Sequence, residues 1–143
     1  MRKDLIAGIK AKANILDDLV SQINLPRETQ RALLRAAMNS VGTGKVAHHL
    51  IPLEAISKFK SLMVKAARGG FNINGANNGI LLSAAEHVYS HPGYNKIVMD
   101  ELNRINNDVI GRGLSDAAAA ALLKKAADTL RKAAQNRLFY PSF

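Results

Sequence analysis

Apolar positions recur every three or four residues through most of this chain, and that rhythm breaks in only a few places. Residues 3–23 place Leu5, Ile9, Leu16, Leu19, Val20 and Ile23 on one helical stripe, and Asn24-Leu25-Pro26 ends it, since proline disfavours helix at the residue before it. Pro26 suits the first turn of a second helix, predicted to about Asn39 with Leu33, Leu34 and Ala37 inward. Val41-Gly42-Thr43-Gly44-Lys45 lacks phosphate-loop spacing and reads as a connection. Lys45 to Ile51 reads as a short strand stopped by Pro52. One helix is predicted over 53–68, burying Ile56, Phe59, Leu62, Met63 and Ala66 and ending at Gly69-Gly70. Residues 71–79, rich in Asn and Gly, form a structured loop, and Ile80-Leu81-Leu82 a second short strand. Ser83-Ala84-Ala85-Glu86 has the form of a capping box. A helix follows from about Pro92 to Val109, burying Val98, Leu102, Ile105 and Val109, and Gly111-Arg112-Gly113 stops it. Ser115 caps a last helix to about Leu138 with Leu122, Leu123, Ala126 and Leu130 inward.

This pattern predicts one mostly helical domain over residues 1–143, with a helical N-terminal extension (1–40), a core (41–110) and a C-terminal helix (111–143). The apolar share of 48% and the charged share of 22% are globular values. No cysteine is present, so any metal must use His, Asn, carboxylate or water. The formal charge of +9 favours a polyanionic partner: nucleic acid, an anionic membrane surface or an acidic protein. No apolar run is long enough to span a membrane. Asp4 and Lys10 interrupt the N-terminus, so a signal peptide is not expected. Lys124, Lys125, Arg131, Lys132 and Arg137 on the last helix read equally as a solvated face or a phosphate-tracking one.

The four histidines fall in two places, His48-His49 and His87…His91. Neighbours on an extended strand point to opposite faces, but a bend or bulge would let both approach one site with different jobs. One imidazole can bind metal while the other stays free as a base near neutral pH. In His91-Pro92-Gly93-Tyr94-Asn95, His91 and Asn95 stand four apart, on one helical face, and can reach a common ion. Pro92 separates His87 from that stripe and leaves it a place beside the site or in packing. The spacing thus predicts a metal site built from strand imidazoles and N/O ligands at a helix start.

Ala47-His48-His49-Leu50-Ile51-Pro52 resembles the signature of the AHH family of the HNH/endonuclease VII (His-Me finger) superfamily. Phe71-Asn72-Ile73-Asn74, Asn78-Gly79-Ile80-Leu81-Leu82 and His91-Pro92-Gly93-Tyr94-Asn95 resemble the family's later blocks, in order, over roughly residues 46–105. Ser83 stands where the family often has proline. The resemblance implies an α+β fold, mostly α-helical, with a small ββα-metal (HNH-type) core and added N- and C-terminal helices. It implies His48 and His91 as metal ligands with Asn95 beside them, His49 as general base, and Asn78 as the central Asn that fixes the loop or orients the base. His87 and Tyr94 are candidates to lie next to the metal site, with packing the more ordinary role for Tyr94.

Such a site hydrolyses phosphodiesters. The base takes a proton from the attacking water, and one divalent ion (Mg, Mn, Zn or Ni) stabilises charge on the phosphate and the departing 3′ oxygen. Weakly specific DNA cleavage is expected, with RNA the alternative. Lys45, Lys96 and Arg104, near the motifs in sequence, are the candidate nucleic-acid contacts. The resemblance further implies a bacterial competition toxin. In that role the domain is delivered by an upstream carrier or secretion-system protein into a target bacterium's cytoplasm. A cognate acidic immunity protein holds it inactive in the producer. Rival readings are a non-catalytic basic helical module, which leaves the order of motifs unexplained, a membrane-acting helical toxin, and a structural metal site.

Overall fold

The computed structural model describes residues 16–83 and 92–135. In chain order they form helix α1 (residues 16–22), helix α2 (Arg27–Ala37), strand β1 (Lys45–His49), and short helices α3 (Glu54–Lys58) and α4 (Lys60–Arg68). A 3₁₀ turn (Ala76–Asn78), strand β2 (Gly79–Ser83) and two long helices, α5 (Pro92–Gly111) and α6 (Asp116–Gln135), complete the described chain. The architecture is mostly helical with one small antiparallel sheet, the α+β class expected.

The strands pair Lys45 with Ser83, Val46 with Leu82, Ala47 with Leu81, His48 with Ile80 and His49 with Gly79. This one-to-one register runs through both histidines without a bulge. A lone two-stranded sheet is marginal in water, so its survival depends on what covers it. Here Ile80 and Leu82 join one apolar cluster that extends from Ile23 to Ala134 and draws on α3, α4, α5 and α6. Val98, Leu102, Ile105 and Val109 line the buried face of α5, as their spacing requires. Leu123, Ala126 and Leu130 do the same for α6, with Leu122 half-buried beside them.

Helix boundaries follow local chemistry. Pro26 sits just before α2, and its carbonyl accepts from Gln30 N at 3.1 Å. Asn39 closes the other end with a φ of 51°, a left-handed conformation that asparagine tolerates. Ser115 Oγ accepts from Ala118 N at 3.1 Å and caps α6 as expected. The single helix expected over 53–68 is two: Phe59 leaves helical geometry at φ −128°, ψ 47°. No proline or glycine marks that break. Phe59 packs partly buried against the core, and the bend lets Ile56 and the Leu62–Met63 pair both reach it. Within 3–23 the described helix begins at residue 16, and Ala37 is exposed rather than inward. Leu5 and Ile9, the Ser83–Glu86 capping box beyond Ser83, His87, His91 and residues 136–143 lie outside the described residues.

Gly69 sets the distance between α4 and α6. A methyl group there would meet the Asp116 carbonyl oxygen at 2.1 Å and Ala120 Cβ at 2.9 Å. Lys65 and Asp116 form an ion pair across the same junction at 3.2 Å. Gly69→Ala must therefore push the helices apart. We expect it to lower unfolding free energy by roughly 1–3 kcal/mol, the usual range for overpacking. Urea denaturation checks this; an unchanged midpoint would mean the junction has slack.

Candidate active site

The last residue of β1, His49, is buried to 7% exposure, and Nε2 of its imidazole bonds Asn74 Oδ1 at 2.9 Å. That leaves Nδ1 as the ring nitrogen not engaged in this bond. Asn74, itself buried, comes from the loop after α4, and its backbone N–H donates to Asn72 Oδ1 at 3.0 Å. Its Nδ2 donates to Gln22 Oε1 and Gln30 Oε1, each at 3.2 Å. The site therefore draws on α1, α2, β1 and the loop together.

Asn78 performs a different task. It is fully buried at 0% exposure, and its side chain accepts from Ile51 N at 2.9 Å. It donates to the carbonyls of Ile51 at 3.1 Å and Ile73 at 2.9 Å. Its own carbonyl accepts from Leu50 N at 2.8 Å. The segment that follows His49 is thereby fastened to the loop that carries Asn74. Arg131 of α6 supports that loop from outside, donating to the carbonyls of Asn77 and, at 3.4 Å, Ala76.

His48 is half-buried, and its ring meets Tyr94 edge-on with centroids 6.2 Å apart. The Tyr94 hydroxyl donates to the Leu50 carbonyl, which ties the first turn of α5 to the end of β1 and gives Tyr94 a packing role. The two histidines thus engage different neighbours: His48 meets α5, and His49 meets the loop and the N-terminal helices. Asn95 is exposed on the first turn of α5, and His91 lies outside the described residues, one position before Pro92. Among the described residues no three His, Asp or Glu side chains gather as metal ligands. Of the expected ligands the described residues include His48 and Asn95, and a neutral imidazole with an amide oxygen suits a divalent ion with an open position.

A cleft of about 400 Å³ opens at the histidine pair, lined also by Arg31, Arg35, Val46, Ala47, Pro52, Leu53 and Glu54. Arg31 and Arg35 stand one turn apart on α2, and both are exposed. Among the described residues, neither has a carboxylate within ion-pair distance, while Glu54 is engaged by Arg27 at 3.5 Å. Gly79 makes this approach possible: a methyl there would meet Met38 Sδ at 2.2 Å and Leu34 Cδ1 at 2.9 Å. With no side chain opposite His49, α2 lies close against the strand.

Lys45, Lys96 and Arg104, which sequence proximity singled out, do not line this cleft. Lys96 pairs with Asp100 at 2.7 Å, and Arg104 with Glu101 at 2.5 Å and Asp108 at 3.6 Å. Lys45 is exposed at the start of β1. The sequence reading missed Arg31, Arg35, Gln22 and Gln30, and gave Asn74 no role beyond its place in the Phe71–Asn74 block. One signal was available: Gln30 shares the buried phase of α2 with Leu34, and a polar residue on an apolar stripe needs a partner.

Burial, the largest effect, holds the His49 imidazole below the usual histidine range. The charge of Arg31 acts the same way, and the Asn74 bond and Glu54 oppose both. The unfolded chain binds this proton more readily than the folded one. Stability should then be flat above about pH 6.5 and fall as the pH drops below it. His49→Gln should flatten that fall. Urea denaturation of both proteins across a pH series decides it; equal slopes would assign the effect to other groups.

No curated protein and no solved structure matches the chain significantly. A family model does match, over residues 29–132: that of AHH, a nuclease family of the HNH/ENDO VII superfamily with conserved AHH. The match takes in most of α2, both strands, the Asn-rich loop, α5 and most of α6, and β1 ends in the sequence Ala47-His48-His49. With well over half its length matched, the chain belongs to the AHH nuclease family and is a phosphodiester hydrolase.

Proposed function

We propose that this nuclease is a metal-dependent endonuclease acting on DNA, with His49 as its general base. One observation carries the reading. A buried imidazole, held through Nε2, shares a cleft with a second histidine and two arginines that have no carboxylate partner among the described residues. Such a cleft accepts a phosphodiester. Arg31 and Arg35 face the anionic phosphate, and two guanidinium groups one helical turn apart are suited to oxygen atoms on one backbone. Water next to Nδ1 of His49 loses a proton to the ring as its oxygen attacks phosphorus. The bond from phosphorus to the 3′ oxygen breaks, and that oxygen gains a proton from solvent. The products carry 5′-phosphate and 3′-hydroxyl ends.

His48, His91 and Asn95 would hold the divalent ion (Mg, Mn, Zn or Ni). When bound, it supplies charge stabilisation for the phosphate and the departing oxygen. Asn78 fixes the loop, and His49 is held by Asn74 instead. The resemblance and the +9 charge support a wider reading. In it the domain is the toxin end of a secreted bacterial effector, delivered into the target cytoplasm by an upstream carrier. It is restrained in the producer by an acidic immunity protein over the basic rim of the cleft.

His49→Ala should fold, bind metal as before and lose plasmid cleavage by about 10²–10⁴-fold, the usual contribution of a general base. Incubation with plasmid and with total RNA, with and without chelator, tests substrate and metal dependence together. Near-normal nicking by His49→Ala would refute the base assignment, and preferential loss of RNA would reassign the substrate.

Arg31→Ala with Arg35→Ala should weaken nucleic-acid binding and reduce the slope of log K against log salt by about two, one for each phosphate left without its arginine. Lys96→Ala and Arg104→Ala, whose cations are already paired, should change it little. Fluorescence anisotropy across a salt series reads all of them; the opposite ranking would place the binding face on α5.

A further inference from the structure

We propose that Asn74, Gln22 and Gln30 are positioning residues that keep the proton of His49 on Nε2 and leave Nδ1 as the basic nitrogen. This makes the helices ahead of β1 part of the catalytic apparatus. The inference rests on His49 being the base, and it goes further by naming what sets that base's reactive atom.

The chain of donors and acceptors runs inward from the surface. A side-chain amide has one oxygen, which accepts, and one NH₂, which donates; the two ends have the same shape, so only their partners decide the orientation. Gln30 lies with one end 2.9 Å from the Leu25 carbonyl, which can only accept. That end is therefore the NH₂, and Gln30 Oε1 faces Asn74. Gln22 lies with one end 2.9 Å from a carboxylate oxygen of Asp18, which accepts when ionised. Its Oε1 also faces Asn74. Two acceptors, each at 3.2 Å, now meet one end of the Asn74 amide, and the NH₂ alone can serve both. Asn74 Oδ1 is thus left facing His49 Nε2 at 2.9 Å. An oxygen that only accepts requires a donor, so Nε2 carries the hydrogen. Turning Asn74 over would set its oxygen against two others and forfeit two hydrogen bonds to keep one.

The chemistry explains why an amide is used. A neutral imidazole has one proton and two nitrogens, and a base acts only through the nitrogen without it. The wrong tautomer presents a donor where the water needs an acceptor. A carboxylate in the place of Asn74 would also hold Nε2–H, but its charge would favour the protonated ring before substrate arrives. An amide directs the proton without adding charge. Gln22, in α1, lies ahead of the family match over 29–132, so this chain reaches outside the matched region to complete its site.

Long-range proton–nitrogen correlation spectra of the ¹⁵N-labelled full chain, recorded at about pH 8 where ordinary histidines are neutral, read the tautomer directly. His49→Gln identifies the signal. The expected result is Nε2–H in the wild type and a mixture in Asn74→Leu. In that variant kcat should fall about 10- to 100-fold, less than the roughly 10²–10⁴-fold that a whole general base supplies, with KM little changed. Asn74→Asp keeps the acceptor and should retain Nε2–H. Gln22→Leu with Gln30→Leu releases the Asn74 amide and should weaken both the tautomer preference and kcat. Nδ1–H in the wild type would overturn the proposal, as would a folded Asn74→Leu with unchanged kcat and tautomer. If Asn74→Leu does not fold, the wild-type spectrum and the glutamine double variant decide, and an unchanged double variant rejects the role of the glutamines. His49→Ala with normal cleavage would instead refute the base assignment and leave the tautomer result standing.

Discussion

A buried imidazole must have its engaged ring nitrogen satisfied, and in this fold that requirement reaches across four segments of the chain. Leaving such a group unpaired in the interior costs about 1–3 kcal/mol, a large share of a small domain's net stability. The bond from His49 to Asn74 meets the requirement, but it moves the problem outward, because Asn74 is buried too. Gln30 and Gln22 satisfy Asn74, and each of them is completed by a group nearer the surface, the Leu25 carbonyl and Asp18. A polar chain of this kind is stabilising only when every member is satisfied, and here each amide has partners for both ends. The same bonds that make the burial tolerable also restrict how the ring can turn.

Asn78 and Gly79 supply the frame in which that chain fits. Asn78 ties Ile51 and Ile73 together through their backbone groups, so the segment after His49 is fastened to the loop before β2. Gly79 then removes the side chain opposite His49 and lets Leu34 and Met38 of α2 fill the space. Any larger residue would hold α2 away, and with it both Gln30 and the arginines of the cleft. Adjacent asparagine and glycine therefore do separate work, one by its hydrogen bonds and the other by having no side chain.

Much of this was legible in the sequence, and the remainder was hidden for identifiable reasons. Periodicity found α5 and α6 and their buried faces, since Val98, Leu102, Ile105 and Val109 keep strict helical spacing. The histidine pair and the Asn-rich loop marked the site because few other roles put those residue types together. The break at Phe59 was not legible: nothing in its neighbourhood disfavours helix, and tertiary packing imposes it. The loop carries Asn72, Asn74, Asn77 and Asn78, and residue type does not say which amide meets His49. Its partners Gln30 and Gln22 are 44 and 52 residues away from Asn74. Nearness in sequence pointed to Lys96 and Arg104, whereas nearness in space belongs to Arg31 and Arg35.

Net charge is a poor guide to where a polyanion would lie on this surface. Several cations are matched by local acids, and Arg131 is committed to the loop carbonyls as well as to Asp128. Exposed pairs of this kind add little to stability, yet they cancel the local field that a phosphate would sense. What matters is the charge left unmatched among the described residues, and α2 places Arg31 and Arg35 beside the histidine pair. Arg31 also bears on His49, because its charge is one of the effects that lower the proton affinity of that ring. The same guanidinium therefore bears on both the potential of the cleft and the proton affinity of the buried ring.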